Sequence, residues 1–333
     1  MSPISSPWEG SLLANICFVL RAEKTERRCT SNGMIAGLKQ LGHTVDKIVF
    51  RKKDLWPGDR KITERFKRNI PEDAIVIMPK GAHLRPEAIQ ALKLARPDWR
   101  LVFWSADSIA CGPRDGRQDG MLQRVLAFDD VIFTGYEACK FMRENGYEGR
   151  LAQVFQGFRP EVWHPTPASP VRNTAPKVSF LGSFYQGDGG RRRILDSIRH
   201  IGFKLNIGTH VYLEHAAAMY RTSRINLNIA CGEIISNRMI RILAAGGFCL
   251  TPVLKDLQEG YPEGTVATYE YQDLKDLHEK VRHYMKYPDE AAEIAARGLE
   301  LARTRPWLVQ MGKVMKFLDG ESICDGAATE YCS

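Results

Sequence analysis

The run FLGSFYQGDGGRRR at residues 180–193 gathers the groups best suited to hold an anion. Glycines let a backbone approach a phosphate, a helix N-terminus offers amides that lack intrahelical acceptors, and Arg191, Arg192 and Arg193 add positive charge. That combination suits a diphosphate. The run has neither Gly-x-x-x-x-Gly-Lys-Ser/Thr nor Gly-x-Gly-x-x-Gly, which disfavours a Walker ATPase and a conventional NAD site. Without a ligand, the same residues would be a surface loop leading into a helix with solvated arginines. A second run, SNRMIRILAAGGFCLT at 236–251, reads as a polar loop, a helix stopped by paired glycines, and a buried strand.

The elements that must position these loops repeat one pattern. Apolar runs at 14–20, 44–50, 74–78, 101–104 and 129–134 alternate with helical stretches at 30–41, 86–94 and 137–144. The pattern restarts with runs at 178–181, 203–207, 225–229 and 248–250, and helices at 191–201, 237–245, 274–287, 289–303 and 307–318. Most of these runs lack polar alternation, as parallel strands covered on both faces do. Four prolines between 164 and 176 predict a stiff linker. The expected fold is α/β, with two Rossmann-like doubly wound domains facing each other across a cleft. Residues 1–165 form the first domain, 166–176 the linker and 177–305 the second domain. Residues 306–333 form a helix packing back toward the first domain plus a tail, frayed after Gly320. Open parallel sheets bind ligands at the carboxyl ends of their strands, so the cleft is the expected site.

Composition narrows the class. At 333 residues, 44% hydrophobic and 26% charged, the chain has the make-up of a globular protein of two domains. No apolar stretch approaches the ~20 residues of a membrane-spanning helix. No basic residue precedes the run at 11–20, so a signal peptide is not expected and the reading is cytoplasmic. Eight cysteines without a Cys-x-x-Cys pair argue for core filling over a disulfide framework or a zinc site. Of the net charge of +8, residues 1–150 carry +6, concentrated at 51–68 with eight basic and three acidic residues. Lys52, Lys53, Arg60 and Lys61 are the candidate contacts there for an anionic acceptor; the bland alternative is a solvated helix face after Pro57 and Gly58.

Tyr220, Ser223, Ile225, Leu227 and Asn228, followed by Asn237, Arg238, Leu243, Ala244, Gly246, Gly247 and Phe248, carry a resemblance. Residues 177–275 resemble the C-terminal, donor-binding domain of GT-B glycosyltransferases, most closely the CgeB-like group of spore-maturation type. Trp104, Asp107 and Gly157 resemble family positions in the first half. The resemblance implies transfer of a sugar from a nucleoside-diphosphate sugar, UDP-linked by preference, to a hydroxyl acceptor, with no tightly bound cofactor and no metal. The implied donor contacts are Gly182, Ser183, Arg191, Arg192, Glu233, Asn237, Arg238, Arg241, Gly246 and Gly247. Retaining members commonly have Glu-x7-Glu, whose second glutamate resembles a clamp on the donor ribose. Here Glu233 is in place but Arg241 stands eight residues on. An arginine cannot accept hydrogen bonds from a diol, so donor binding differs or Arg241 meets phosphate.

Leaving-group charge builds on the nucleoside diphosphate, so cations and amides aimed there lower the barrier. An acceptor hydroxyl must also be deprotonated, and Asp107 and His83, each just past a strand, are the candidate catalytic groups. Their bland readings are a turn cap and an ordinary surface or core histidine. The basic first half admits a polyanionic acceptor, with a hydroxylated base in DNA as one option, as in the GT-B enzymes phages use to decorate genomes in the host cytoplasm. Glycan, protein or small-metabolite acceptors remain open. So do a non-catalytic nucleotide or nucleic-acid binding module on the same scaffold and, more distantly, a sugar-phosphate epimerase.

Overall fold

The computed structural model describes residues 13–21, 30–50, 59–106, 118–166, 178–182, 189–230, 235–325 and 331–332. The chain divides into two compact units, Met1–Phe155 with Trp307–Ser333, and Gln156–Pro306.

In the first unit β1 (Asn15–Arg21), β2 (Thr44–Phe50), β3 (Ile75–Pro79), β4 (Arg100–Ser105), β5 (Asp130–Phe133) and β6 (Arg150–Gln153) form a parallel sheet. Its order is β2-β1-β3-β4-β5-β6, so the winding reverses between β1 and β3. Successive residues of each strand feed opposite cores. Val19, Val76, Phe103 and Phe133 meet α2 (Asp59–Asn69), α3 (Pro86–Ala95), α4 (Gln118–Leu126) and α5 (Tyr136–Glu144), while Phe18, Ile77, Val102 and Ile132 meet α1 (Thr30–Gln40). Two elements escape the sequence reading because their signals are short. The strand β6 is only RLAQ, and α4 opens on the polar Gln118-Asp119-Gly120.

In the second unit β7 (Val178–Leu181), β8 (Leu205–Gly208), β9 (Ile225–Leu227), β10 (Cys249–Pro252) and β11 (Ala267–Tyr269) form a parallel sheet in the order β11-β10-β9-β7-β8. The winding reverses between β7 and β9. Val178, Phe180, Ile225, Leu227 and Leu250 face an apolar core with α6 (Gly189–His200). The intervening Ser179, Asn226, Asn228 and Thr251 are wholly buried polar groups, on the opposite side. The connections α7 (Leu213–Thr222), α8 (Asn237–Ala244) and α9 (Leu257–Gly260), then α10 (Leu274–Lys286) and α11 (Pro288–Arg303), complete the unit. Both units are therefore Rossmann-like, doubly wound α/β layers.

The last helix, α12 (Trp307–Leu318), returns to the first unit and lies against α1. There a Cβ at Gly37 would stand 2.6 Å from the Trp307 carbonyl oxygen, and one at Gly33 2.3 Å from Trp307 Cδ1, so only glycine admits this approach. The Trp307 ring also meets Trp104 edge to face at 6.3 Å. Contrary to expectation, the chain beyond Gly320 is docked where it is described. It runs along the outer edge of β6, with Gln153 N donating to Ile323 O (3.2 Å) and Asp325 N to Gln153 O (3.1 Å). Asp325 Oδ2 accepts from Phe155 N at 2.8 Å and Oδ1 pairs with Lys313. An otherwise unpaired strand edge supplies the partners that hold the tail.

Candidate functional site at the second sheet's switch point

Where a doubly wound sheet reverses direction, the loops leaving two adjacent strands diverge and open a crevice at their carboxyl ends. In the second unit those strands are β7, which ends at Leu181, and β9, which ends at Leu227. Arg238, in the first turn of α8, bridges them. Its Nε donates to Leu181 O (2.6 Å), and its Nη1 donates to Asn228 Oδ1 (2.9 Å) and Ile229 O (3.2 Å). The guanidinium lies over the buried Phe180 ring at 4.8 Å. Gly182 makes room for it: a Cβ there would stand 2.8 Å from Arg238 Nη2.

Arg191 joins the same ring from α6, its guanidinium carbon 5.9 Å from the Phe180 centroid. It shares a helix face with Leu195 and Ile198, both buried, whereas Arg192 and Arg193 are exposed. Of the three consecutive arginines, then, the structure brings only Arg191 to Arg238 and Gly182. Among the described residues neither α6 nor α8 has an acidic residue in its first turn, and the positive ends of both helix dipoles stand at these strand ends.

Behind the arginines lies a polar lattice the sequence reading did not anticipate. Asn226 accepts from Ser179 Oγ at 2.6 Å and donates to Tyr220 O (3.0 Å) and Phe248 O (3.1 Å), tying β7, the end of α7 and the entry to β10 to β9. Asn228 donates to Thr251 Oγ1 at 2.9 Å and accepts from Ser236 Oγ at 2.7 Å as well as from Arg238. The signal was present in the alternation of Asn226 and Asn228 with Ile225, Leu227 and Ile229. An asparagine inside a buried strand must find partners, and such a pair marks a network.

Other expected donor residues fall elsewhere in the unit. Gly246 and Gly247 follow α8 at the amino end of β10, opposite the strand ends that carry Gly182. A Cβ on Gly247 would stand 2.7 Å from Asn226 Nδ2 and 2.8 Å from Tyr220 O, and Gly246 adopts φ +75°. In the structure these glycines serve the Asn226 lattice and the turn into β10. Arg241 stacks on Trp163 at 5.3 Å, and Trp163 in turn lies 5.9 Å from Tyr220. Burial pushes the Tyr220 hydroxyl up to about 12 despite Arg238 and Arg241, and pushes the Cys249 thiol up to about 12, so neither is an activated nucleophile. Asn237 is the first residue of α8. Ser183 and Glu233 lie outside the described residues.

In the first unit, His83 closes a short turn directly after β3, one of the two strands at that sheet's own reversal. Lys80, Gly81 and Ala82 all have positive φ (56°, 61° and 51°), a costly conformation for the two non-glycine residues. Arg124 holds this turn: its Nε donates to Leu84 O at 2.5 Å, and its aliphatic stem fills the space a Gly81 side chain would need. Asp107, Lys52 and Lys53 lie outside the described residues, and Arg60 and Lys61 are in the first turn of α2. Further along α2, Arg65 donates to Val49 O at 2.9 Å and Lys67 pairs with Glu64 at 3.0 Å, so part of the basic run serves local structure.

A cavity of about 800 Å³ opens beside β11, lined among others by Val253, Leu257, Tyr261, Pro262, Val266 and Thr268. Gly182, Arg191 and Arg238 are not among its walls. Among the described residues no group of three His, Cys, Asp or Glu is placed to hold a metal ion, and no helix is long and apolar enough to cross a membrane.

Residues 169–308 match the family of glycosyl transferase-like domains. The match spans most of the second unit. No curated protein matches the chain. Among solved structures it is similar to HepE from Anabaena in complex with UDP and glucose, at 12% identity and TM-score 0.70, covering 92% of this chain and 100% of that one. It is likewise similar to sucrose-phosphate synthase from Thermosynechococcus elongatus (13%, TM-score 0.69, 92% and 99%). The same holds for a trehalose-6-phosphate protein from E. coli bound with UDP-2-fluoro glucose (10%, TM-score 0.69, 92% and 99%). The two-unit architecture is the GT-B fold.

Proposed function

We propose that the chain is a nucleotide-sugar-dependent glycosyltransferase of the CgeB-like kind, and that its second unit grips the donor diphosphate at the β7/β9 reversal. The observation that carries this reading is the meeting of Arg191, Arg238 and Gly182 around Phe180, with the N-termini of α6 and α8 at the same strand ends. Two cations and two helix dipoles stabilise the charge that builds on a departing nucleoside diphosphate. The glycine leaves room for the Arg238 guanidinium at the end of β7. Ser183, Asn237 and Glu233 would complete the donor shell, with a UDP-sugar as the preferred co-substrate by analogy with the ligands of HepE and the E. coli protein.

In the first unit, His83 and Asp107 are our candidates for orienting and deprotonating the acceptor hydroxyl. The basic run at 51–68 admits a polyanion as acceptor, a hydroxylated base in DNA being one concrete option, with the protein acting in the cytoplasm. Charge reversal of Lys52 and Lys53 should then weaken acceptor binding at low salt, and unchanged binding would point to a neutral glycan, protein or metabolite.

Arg241 on Trp163 favours a second reading, a binding module without transfer activity, because no carboxylate stands at that position to meet a ribose. Release of nucleoside diphosphate from a panel of UDP-, GDP-, ADP- and dTDP-sugars, with hydroxylated acceptors supplied, separates the two. Turnover with at least one donor is expected. Binding without any release would leave the module.

A further inference from the structure

Three cysteines the site does not use meet in the first unit. Cys139, on α5, is wholly buried; Cys332, in the docked tail, is buried beside it; and Cys324 is partly exposed and packs against the same core. The Cys332 thiol lies in the same cluster as those of Cys139 and Cys324 and close enough to both to feel them. The backbone brings the last pair together: Ser322 Oγ donates to Cys332 O at 2.9 Å, Arg143 Nε donates to Tyr331 O at 3.4 Å, and the Tyr331 ring meets Tyr136 at 5.5 Å. Cys324 itself bridges to β6, its thiol donating to Gln153 Oε1 at 3.2 Å. Core filling explains Cys17 and Cys249, which sit singly in strands, but not a thiol group assembled from three separate segments.

We propose that Cys324 and Cys332 form an oxidative modification site, closing to a disulfide that locks the C-terminal tail against the first unit. The oxidant is a low-molecular-weight disulfide such as oxidised glutathione. Cys324, the accessible partner, attacks one glutathione sulfur as thiolate, releasing one glutathione thiol and leaving a mixed disulfide. The Cys332 thiolate then attacks the Cys324 sulfur and releases the second. Two thiol protons and two electrons leave the protein, and one oxidised glutathione becomes two reduced molecules. The interaction with the Cys139 thiol, ahead of burial, holds the Cys332 thiol up at about 12, so the second step relies on its closeness to the Cys324 sulfur and not on a standing thiolate.

Residues 317–333 contain no lysine or arginine, so one tryptic peptide carries both cysteines. The reduced full-length protein is incubated with oxidised glutathione, alkylated and digested. The expected product is peptide 317–333 lighter by two hydrogens and bearing no alkyl group, while Cys17 and Cys249 stay reduced. In Cys332→Ser the same peptide should instead retain one glutathione on Cys324, and wild type oxidised in urea should lose the selectivity. Both cysteines remaining alkylatable in the native protein, or Cys332 joined to Cys139, would overturn the assignment.

Discussion

Asn226→Asp changes one atom in the lattice that holds the candidate site. The two oxygens of an aspartate would still accept from Ser179 Oγ, but the second would face Tyr220 O and Phe248 O at about the 3.0 and 3.1 Å now spanned by the amide N–H groups. Three oxygens cannot meet there without a proton, and the residue is wholly buried, so the folded variant must take one up. From an ordinary carboxyl value near 3.9, that uptake costs about 1.4 kcal/mol per pH unit, or roughly 4 kcal/mol at pH 7. The acid's single O–H then replaces two N–H donors, a further loss of about 1 kcal/mol. The sign follows from a folded pKa raised above the unfolded one: the variant keeps its stability below about pH 4 and loses it as pH rises toward the folded value. Urea unfolding at pH 4 and pH 7, with hydrogen exchange on second-unit peptides to assign the transition, should show a deficit near 1 kcal/mol growing to as much as about 5 kcal/mol. A deficit under about 1 kcal/mol at pH 7, or one that does not change with pH, would refute the lattice as described.

The remaining predictions concern separate parts of the molecule. Arg191→Ala should weaken UDP binding in a calorimetric titration by tenfold or more, about 1.4 kcal/mol, while Arg192→Ala changes it less than twofold, because only the former side chain turns toward Phe180. Gly37→Ala should lower the first unit's stability by about 1–3 kcal/mol in thermal unfolding, since the new methyl group meets the Trp307 backbone. Burial lowers the pKa of His43, whose Nδ1 accepts from Ala14 N at 3.3 Å, so its contribution is complete above pH 6.5 and is lost as pH falls through the window below. Replacing His43 with Gln should flatten that part of the stability profile.

The sequence made the architecture readable because each βα repeat carries its own period, and the strands of both sheets other than β6 and β11 follow from apolar runs a few residues long. The site was readable only in part. Three consecutive arginines are indistinguishable as letters; 100° of helical rotation per residue sends Arg191 to Phe180 and its neighbours to solvent. Gly246 and Gly247 look like ligand-contacting glycines in a motif, yet at the far end of the sheet Gly246 turns at positive φ beside Pro165 and Gly247 closely approaches Asn226 and Tyr220. The partners of Arg241 and Arg124 are set by tertiary packing with segments distant in sequence, for which local pattern has no signal. The docked tail was missed for the same reason, since its order comes from the edge of β6.

Hydrogen-exchange mass spectrometry of the full chain with and without UDP tests the central claim most directly. Slowed exchange is expected in the first turns of α6 and α8, where amides lacking helical acceptors would meet the diphosphate. Protection confined to the cavity beside β11, or no change at any of these amides under saturating UDP, would contradict it.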